Sequence, residues 1–318
     1  MYNSAFIGYG SYLPEKIITN YDLENTLDTT NEWIFSRTGI EQRHIADEGE
    51  YTSELATKAA TEAIENAGIN KDDVDLIIVA TCTPDETIPS TAVKVQKNLG
   101  IKNAAAFDVN AACAGFIYAT SIADSFIKSG QARNVLVIGA ETMSRVVDWQ
   151  DRNTCVLFGD GAGAVVMQAT EENKGIFYSK IESSADDYDF LKTNGGISTT
   201  KTAGCIQMAG KEVFKSAVEK MSKSVLEGLE KTGLSLADID LLIPHQANVR
   251  IINTIGKKLD LPKEKIIITL DKQANTSAAT IPLALHHAFK NGRLSEGSVL
   301  ALSALGAGFT WGAMLLRI

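Results

Sequence analysis

The feature that most restricts what this chain can fold into is an internal repeat. Residues 56–83 read as a helix closed by Ala67-Gly68, then Ile69-Asn-Lys-Asp-Asp73-Val-Asp75-Leu-Ile-Ile-Val79. Residues 217–248 follow the same order: a helix closed by Thr232-Gly233, then Leu234-Ser-Leu-Ala-Asp238-Ile-Asp240-Leu-Leu-Ile243. Laying Gly68 on Gly233 brings Asp73 onto Asp238 and Asp75 onto Asp240. A second pair, 107–139 and 269–304, is aligned by Phe126-Ile-Lys-Ser-Gly130 and Phe289-Lys-Asn-Gly292, a shift of 162 positions that lays Cys113 on Asn275. Two α/β halves of like order, 1–170 and 171–318, with no low-complexity linker between them, imply a pseudo-twofold fold with a layer of strands in each half. Equivalent turns of the two halves then meet near the pseudo-axis, which makes Cys113 and Asn275 neighbours.

The surroundings of Cys113 give that neighbourhood chemical weight. An apolar, strand-like segment ends near Asn110, small residues carry the turn, and a helical pattern runs through Phe116, Ile117, Ile122, Phe126 and Ile127 to Gly130. Cys113 stands at a helix start, where unpaired N–H groups and the helix dipole favour an anion. A thiol of pKa ~8.5 is drawn toward ~7 or below in such a setting. On this stretch alone two readings stand, a nucleophile and a small buried hydrophobe. Convergence with Asn275 favours the nucleophile.

Of the four histidines, His286 and His287 sit in a helical pattern with packing or surface roles. His245 is different, because the buried strand 241–243 ends at Pro244-His245-Gln-Ala-Asn248 and presents it at a strand's C-terminal edge. Cysteine, histidine and asparagine together form a coherent set, with the thiol as nucleophile and nitrogen donors to stabilise an oxyanion. No second histidine or carboxylate lies at metal-ligand spacing. Near the C-terminus, Ser303-Ala-Leu-Gly306-Ala-Gly308 follows a buried strand, either as a hairpin turn or as a means of bringing a backbone N–H against a reacting carbonyl.

Elsewhere, Thr29 or Thr30 caps a helix over 31–37 that exposes Trp33 and Arg37, and Thr52 or Ser53 caps one ended by Gly68. Buried strands are expected at 76–80 and 134–139, and a helix at 91–99. Phe158-Gly-Asp-Gly-Ala-Gly-Ala164 has the look of a nucleotide loop, but Val165-Val-Met167 follows as a strand and not as a phosphate-binding helix. It reads as a tight turn.

A formal charge of −9 over 318 residues argues against a general nucleic-acid binder. Cys82, Cys113, Cys155 and Cys205 lie far apart without a CxxC pair, which suggests neither a disulfide framework nor a zinc site and fits a reduced, cytoplasmic setting. The N-terminus has no signal-peptide pattern, and the most apolar long window, around 103–125, carries Asp108, Asn110 and Asp124, so no membrane span is expected.

The motifs Asn110-Ala-Ala-Cys113-Ala-Gly-Phe116, Phe158-Gly-Asp-Gly-Ala-Gly163, Pro244-His245-Gln-Ala-Asn248-Val-Arg250, Asn275-Thr-Ser-Ala-Ala279 and Gly308-Phe-Thr-Trp-Gly312, in this order, resemble those of the β-ketoacyl-acyl carrier protein synthase III family. The resemblance covers the whole chain. It implies a thiolase-like α/β fold, two pseudo-twofold halves in α-β-α-β-α layers. It implies that Cys113 takes an acyl group from acyl-coenzyme A, and that malonyl-acyl carrier protein is decarboxylated and condensed with it. His245 and Asn275 would stabilise the enolate, and the N–H groups of Cys113 and Gly306 would form the oxyanion hole. By the same resemblance Trp33 and Arg152 sandwich the adenine of coenzyme A, with Arg37, Phe214, Asn248 and Arg250 along the entrance. Lys215, Arg250, Lys257 and Lys258 match a basic docking surface for the acidic carrier protein. No metal or redox cofactor is implied, coenzyme A thioester being substrate, and a homodimer is expected in which Ile88 reaches the partner's acyl pocket.

This sequence departs from the family pattern at Leu305, where Phe is usual, at Ala307, which replaces a glycine, and at Ala274, where Gly is usual before Asn275. The departures bear on primer preference. Two other readings keep part of this pattern: a related acyltransferase with a different primer in secondary metabolism, and a non-catalytic acyl-coenzyme A binding protein.

Overall fold

The structure is a computed structural model that describes residues 2–318. Its strands of more than three residues form two sheets. The first contains β1 (Asn3–Tyr12), β2 (Leu76–Ala80), β3 (Ala105–Val109), β4 (Asn134–Thr142) and β5 (Asp160–Thr170), in the order β1-β5-β4-β2-β3. The second contains β6 (Gly175–Ser183), β7 (Leu241–Pro244), β8 (Val299–Gly306) and β9 (Thr310–Arg317), in the order β6-β9-β8-β7. Both sheets begin with two antiparallel pairings and continue with a parallel one. The first sheet adds the parallel edge strand β3, whereas in the second that position is reduced to a single parallel bridge between Leu242 and Ile266.

Helices of eight or more residues are α1 (Asn31–Thr38), α2 (Thr52–Ala67), α3 (Thr91–Leu99), α4 (Gly115–Lys128), α5 (Gly210–Thr232), α6 (Val249–Lys258) and α7 (Thr280–Lys290). The middle layer is α4 and α7, whose Phe116, Ile117, Ile281 and Leu285 share one core with Ile78 and Val137 of the first sheet and Ile243 and Leu302 of the second. Helices α2 and α3 cover the outer face of the first sheet, and α5 and α6 that of the second. Sandwiched between helices, β2, β4 and β7 are buried at every residue, which is why β2, β7 and the 135–140 stretch of β4 read as apolar runs.

The repeated aspartates have one job in each half. The Asp75 carboxylate accepts the N–H groups of Arg133 and Asn134 at 2.7 and 2.9 Å, and Asp240 accepts that of Val299 at 2.8 Å. Each fixes the start of the neighbouring parallel strand. Gly68 and Gly233 close α2 and α5 with φ of 66° and 71°, a left-handed conformation that glycine adopts without cost.

The second alignment needs correction. Asn110 accepts the Ala112 N–H on its side-chain oxygen at 3.3 Å, and Asn275 accepts the Ser277 N–H at 2.9 Å. Ala112 and Ser277 both have positive φ, 46° and 51°, and each opens a 3₁₀ turn that runs into α4 or α7. These pairs are 165 positions apart, as are Gly68 and Gly233, so Cys113 corresponds to Ala278 and Asn275 to Asn110. The 162-position match at Gly130 and Gly292 arises because α7 has 11 residues and α4 has 14, and the loop before β8 restores the three. The turns do meet, since a side chain on Gly115 would touch the Ala278 methyl at 3.3 Å.

Two further expectations fail. The glycine run is not a turn: Gly161 and Gly163 lie inside β5, and a side chain on Gly163 would fall 2.6 Å from the Leu283 nitrogen of α7. Glycine there lets the central helix approach the sheet. Neither Thr52 nor Ser53 caps α2; both belong to its first turn, the preceding residue is Tyr51, and the Thr52 and Ser53 hydroxyls instead bond to the Thr83 carbonyl and the Asp85 carboxylate at 2.6 Å each.

Candidate active site

Cys113 lies in the 3₁₀ turn Ala112–Ala114 that leads into α4, His245 follows β7, and Asn275 precedes the matching turn into α7. All three are buried and line one cavity of about 660 Å³. The backbone of Asn275 is held by the glycine motif: its N–H donates to the Leu157 carbonyl at 2.9 Å and its carbonyl accepts the Gly159 N–H at 3.1 Å. With its side-chain oxygen engaged by Ser277, Asn275 has its NH₂ group left for the cavity. The His245 N–H donates to the Ser303 carbonyl at 2.8 Å, and the ring nitrogen Nδ1 lies 2.6 Å from the Thr280 hydroxyl.

Gly306, at the end of β8, abuts the Cys113 turn so closely that a Cβ there would lie 2.7 Å from the Cys113 nitrogen. The two candidate oxyanion donors are thus adjacent. Leu305 lines the cavity with Leu157, Leu191, Met208 and Met221, an apolar wall near the three polar groups.

The expected lowering of the Cys113 thiol pKa is not found. Burial pushes it up to about 12, with the Ser277 hydroxyl pulling it down and the buried Glu141 carboxylate adding to the rise. A thiolate loses more hydration here than a helix start returns. His245 is lowered by burial to about 3 and is neutral near pH 7.

Sequence reading missed the support behind these groups. Glu141, at the end of β4, is fully buried and accepts the Thr81 and Thr83 hydroxyls at 3.1 and 2.5 Å and the Cys82 N–H at 3.1 Å. The Cys82 thiol donates to it at 3.3 Å and lies 3.9 Å from the Ser277 hydroxyl. A carboxylate directly after the apolar run 135–140 was the available signal.

The same cavity that Cys113, His245 and Asn275 line is also lined by Trp33, Arg37, Arg152, Phe214, Asn248 and Arg250. The guanidinium groups of Arg37 and Arg152 lie 4.7 and 5.2 Å from the Trp33 ring centre, and that of Arg250 lies 5.9 Å from the Phe214 ring. Arg152 is itself held by the Asp28 carbonyl. Asn248 caps α6, accepting the Arg250 N–H at 2.8 Å, and donates to the Arg37 carbonyl at 3.0 Å, tying α6 to α1. Lys215 and Lys258 border a shallow depression that shares Phe214 with this entrance, and Lys257 is exposed beside Lys258. Ile88 is not in the cavity: it is 84% exposed on the loop before α3. His286 is buried, 3.2 Å from the Glu62 carboxylate. Among the described residues no cluster of His, Cys, Asp or Glu is placed to hold a metal ion, and no helix is long and apolar enough to cross a membrane.

Residues 107–185 match the family described as 3-oxoacyl-[acyl-carrier-protein (ACP)] synthase III, and residues 229–318 its C-terminal part. The chain is 54% identical over 319 residues to the beta-ketoacyl-[acyl-carrier-protein] synthase III of Ehrlichia canis, covering all of both chains. It is 56% identical over 318 residues to that of Wolbachia pipientis wMel, again covering both completely. The crystal structure of 3-oxoacyl-[acyl-carrier-protein] synthase III from Aquifex aeolicus VF5 superposes with a TM-score of 0.95 at 50% identity, over 99% of this chain and 100% of that one. A priming β-ketosynthase from the R1128 polyketide biosynthetic pathway superposes with a TM-score of 0.95 at 34% identity, over 99% and 96%.

Proposed function

The chain belongs to the β-ketoacyl-[acyl-carrier-protein] synthase III family, and from that premise we propose how its own residues divide the work. It is a condensing enzyme that initiates fatty acid synthesis. An acyl group passes from acyl-coenzyme A to the enzyme, and malonyl-acyl carrier protein is decarboxylated and joined to it. The products are 3-oxoacyl-acyl carrier protein, coenzyme A and carbon dioxide.

The observation that carries the assignment is that Cys113, His245 and Asn275 share one cavity with Trp33, Arg37, Arg152 and Arg250. Cys113 Sγ attacks the thioester carbonyl, and the coenzyme A thiolate leaves and takes up the proton that the thiol gives away. The N–H groups of Cys113 and Gly306 hold the oxyanion. In the second stage the malonyl C–C bond breaks, carbon dioxide leaves, and the electron pair forms an enolate whose oxygen His245 and Asn275 stabilise. The enolate carbon then attacks the acyl group and Cys113 leaves. Arg37, Arg152, Phe214, Asn248 and Arg250 line the route of coenzyme A, and Lys215, Arg250, Lys257 and Lys258 receive the acidic carrier protein. Acetyl-coenzyme A is the expected primer, and Leu305, smaller than phenylalanine, leaves room for a longer one.

The halves 1–170 and 171–318 are read as two like units, each supplying one sheet and one central turn. A homodimer is supported by the exposed Ile88 and by the edge strand β3, and a cytoplasmic setting by four free cysteines. The decisive experiment follows acyl-enzyme formation and carbon dioxide release separately. Asn275→Ala and His245→Ala should still be acetylated at Cys113 yet lose carbon dioxide release by about 10²-fold or more. Loss of acetylation with carbon dioxide release intact would reverse the roles.

A further inference from the structure

A neutral imidazole carries one N–H, and the nitrogen that bears it decides whether the atom facing a substrate donates or accepts. For His245 the choice is made behind the ring. Nδ1 lies 2.6 Å from Thr280 Oγ1, buried at the start of α7, and among the described residues Nε2 has no hydrogen-bond partner in the cavity wall. Burial holds the ring neutral at pH 7. If Nδ1 carried the proton, Nε2 would offer a lone pair to an enolate oxygen and repel it.

The Thr280 hydroxyl has one proton and two acceptors within reach, Nδ1 at 2.6 Å and the Ser277 carbonyl at 3.0 Å. The Ser277 carbonyl accepts the Thr280 backbone N–H and has a second lone pair for the hydroxyl, but the contact to Nδ1 is the shorter, 2.6 Å against 3.0 Å, and Nδ1 has no other donor among the described residues. We propose that Thr280 is a positioning residue that donates its hydroxyl proton to Nδ1 of His245 and keeps the imidazole N–H on Nε2, aimed at the thioester oxygen of the malonyl group. No proton moves through Thr280: carbon dioxide leaves, the electron pair passes into the enolate, and Nε2–H donates to the oxygen that gains charge. The same turn orients both donors, because Asn275 Oδ1 is held by the Ser277 N–H and only its NH₂ group is free to turn to the substrate. This inference rests on the assignment of His245 and Asn275 to decarboxylation.

The test uses the intact enzyme with Thr280→Val, which keeps the volume and removes the donor, and Thr280→Ser, which keeps the donor. Thr280→Ala serves if the valine variant does not fold. Thr280→Val should form acetyl-enzyme within about twofold of the native rate and lose carbon dioxide release by about 10-fold to 10²-fold, and Thr280→Ser should recover most of it. A ¹⁵N-imidazole spectrum, assigned by difference from His245→Ala, should show Nε2 protonated in the native enzyme and a shift toward Nδ1–H in Thr280→Val. A native Nδ1–H tautomer, or undiminished carbon dioxide release in Thr280→Val, overturns the proposal. If His245→Ala itself spares carbon dioxide release, the role of His245 falls, and the tautomer spectrum still decides what Thr280 does.

Discussion

A methyl group on Gly306 would lie 2.7 Å from the Cys113 nitrogen and equally close to the Ala111 carbonyl oxygen. Both are main-chain atoms, so nothing there can rotate away. Gly306→Ala should force β8 from the Cys113 turn, cut acyl-enzyme formation by about 10²-fold, and lower the melting temperature by a few degrees. Rapid-quench acetylation with a melting curve on the same sample measures both. Native acetylation in this variant would mean that the contact has no part in catalysis.

The raised thiol makes acylation depend on pH with a definite sign. Because Cys113 sits near 12, its thiolate fraction rises about tenfold per pH unit between pH 7 and 9, and acetylation should rise with it. Carbon dioxide release should stay flat over that range, since His245 is neutral throughout. A flat acetylation profile would show that a base removes the thiol proton within the complex.

His245 also couples stability to pH. Its folded pKa, about 3, is below the unfolded value near 6.5, so protons bind the unfolded chain more tightly. Its contribution is present above pH 6.5 and is lost as the pH falls toward 3, by up to about 1.4 kcal/mol per unit. Denaturant titrations of the native enzyme and His245→Gln across this window should diverge, the native enzyme losing stability faster on acidification.

Ala274 occupies φ 56° and ψ −163°, a region that only glycine enters freely, and it is fully buried. Ala274→Gly should relieve ~1–3 kcal/mol of strain, less ~0.5–1 kcal/mol for the freedom glycine gains on unfolding, and so raise stability by about 1 kcal/mol. Urea titration tests it, and a less stable variant would refute the strain.

Arg250 reaches over Phe214 at the entrance, beside the depression bordered by Lys215 and Lys258. Local potential steers encounter even on a chain of net charge −9. Arg250→Glu should raise the KM for malonyl-acyl carrier protein several-fold and flatten its dependence on salt. Kinetics with an unchanged salt slope would remove Arg250 from the docking surface.

Much of the frame was legible because it is written in periodic burial. The run 76–80, the helix 91–99 and the pair Gly68 and Gly233 follow from local pattern, and the trio from motifs at the ends of such elements. What stayed hidden depends on contacts between distant segments. The displaced match at Gly130 and Gly292 could not reveal that α7 is a turn shorter, since apolar periodicity marks a helix face and not its length. The direction of the Cys113 shift depends on burial, with Glu141, 28 positions away near the end of β4, adding to it. Trp33 is half-buried and not simply exposed, and of the two guanidinium groups over its ring Arg37 is one turn along the same helix while Arg152 comes from a distant segment that local pattern does not reveal. The Thr280 hydroxyl, unremarkable in sequence, gains a role only because α7 starts against the end of β7.

The matched turns at Asn110 and Asn275 give the protein an experimental control of its own. Each asparagine makes the same bond to the amide two residues on, but Asn110 is exposed and lies outside the cavity lining, while Asn275 is buried within it. Substituting Asn275 therefore removes two things at once, a local backbone brace and an amide that lines the cavity. Substituting Asn110 removes only the first. The difference between the two measurements isolates the amide, with the exposed site setting the floor for the brace, and the internal repeat becomes a way to subtract folding from chemistry.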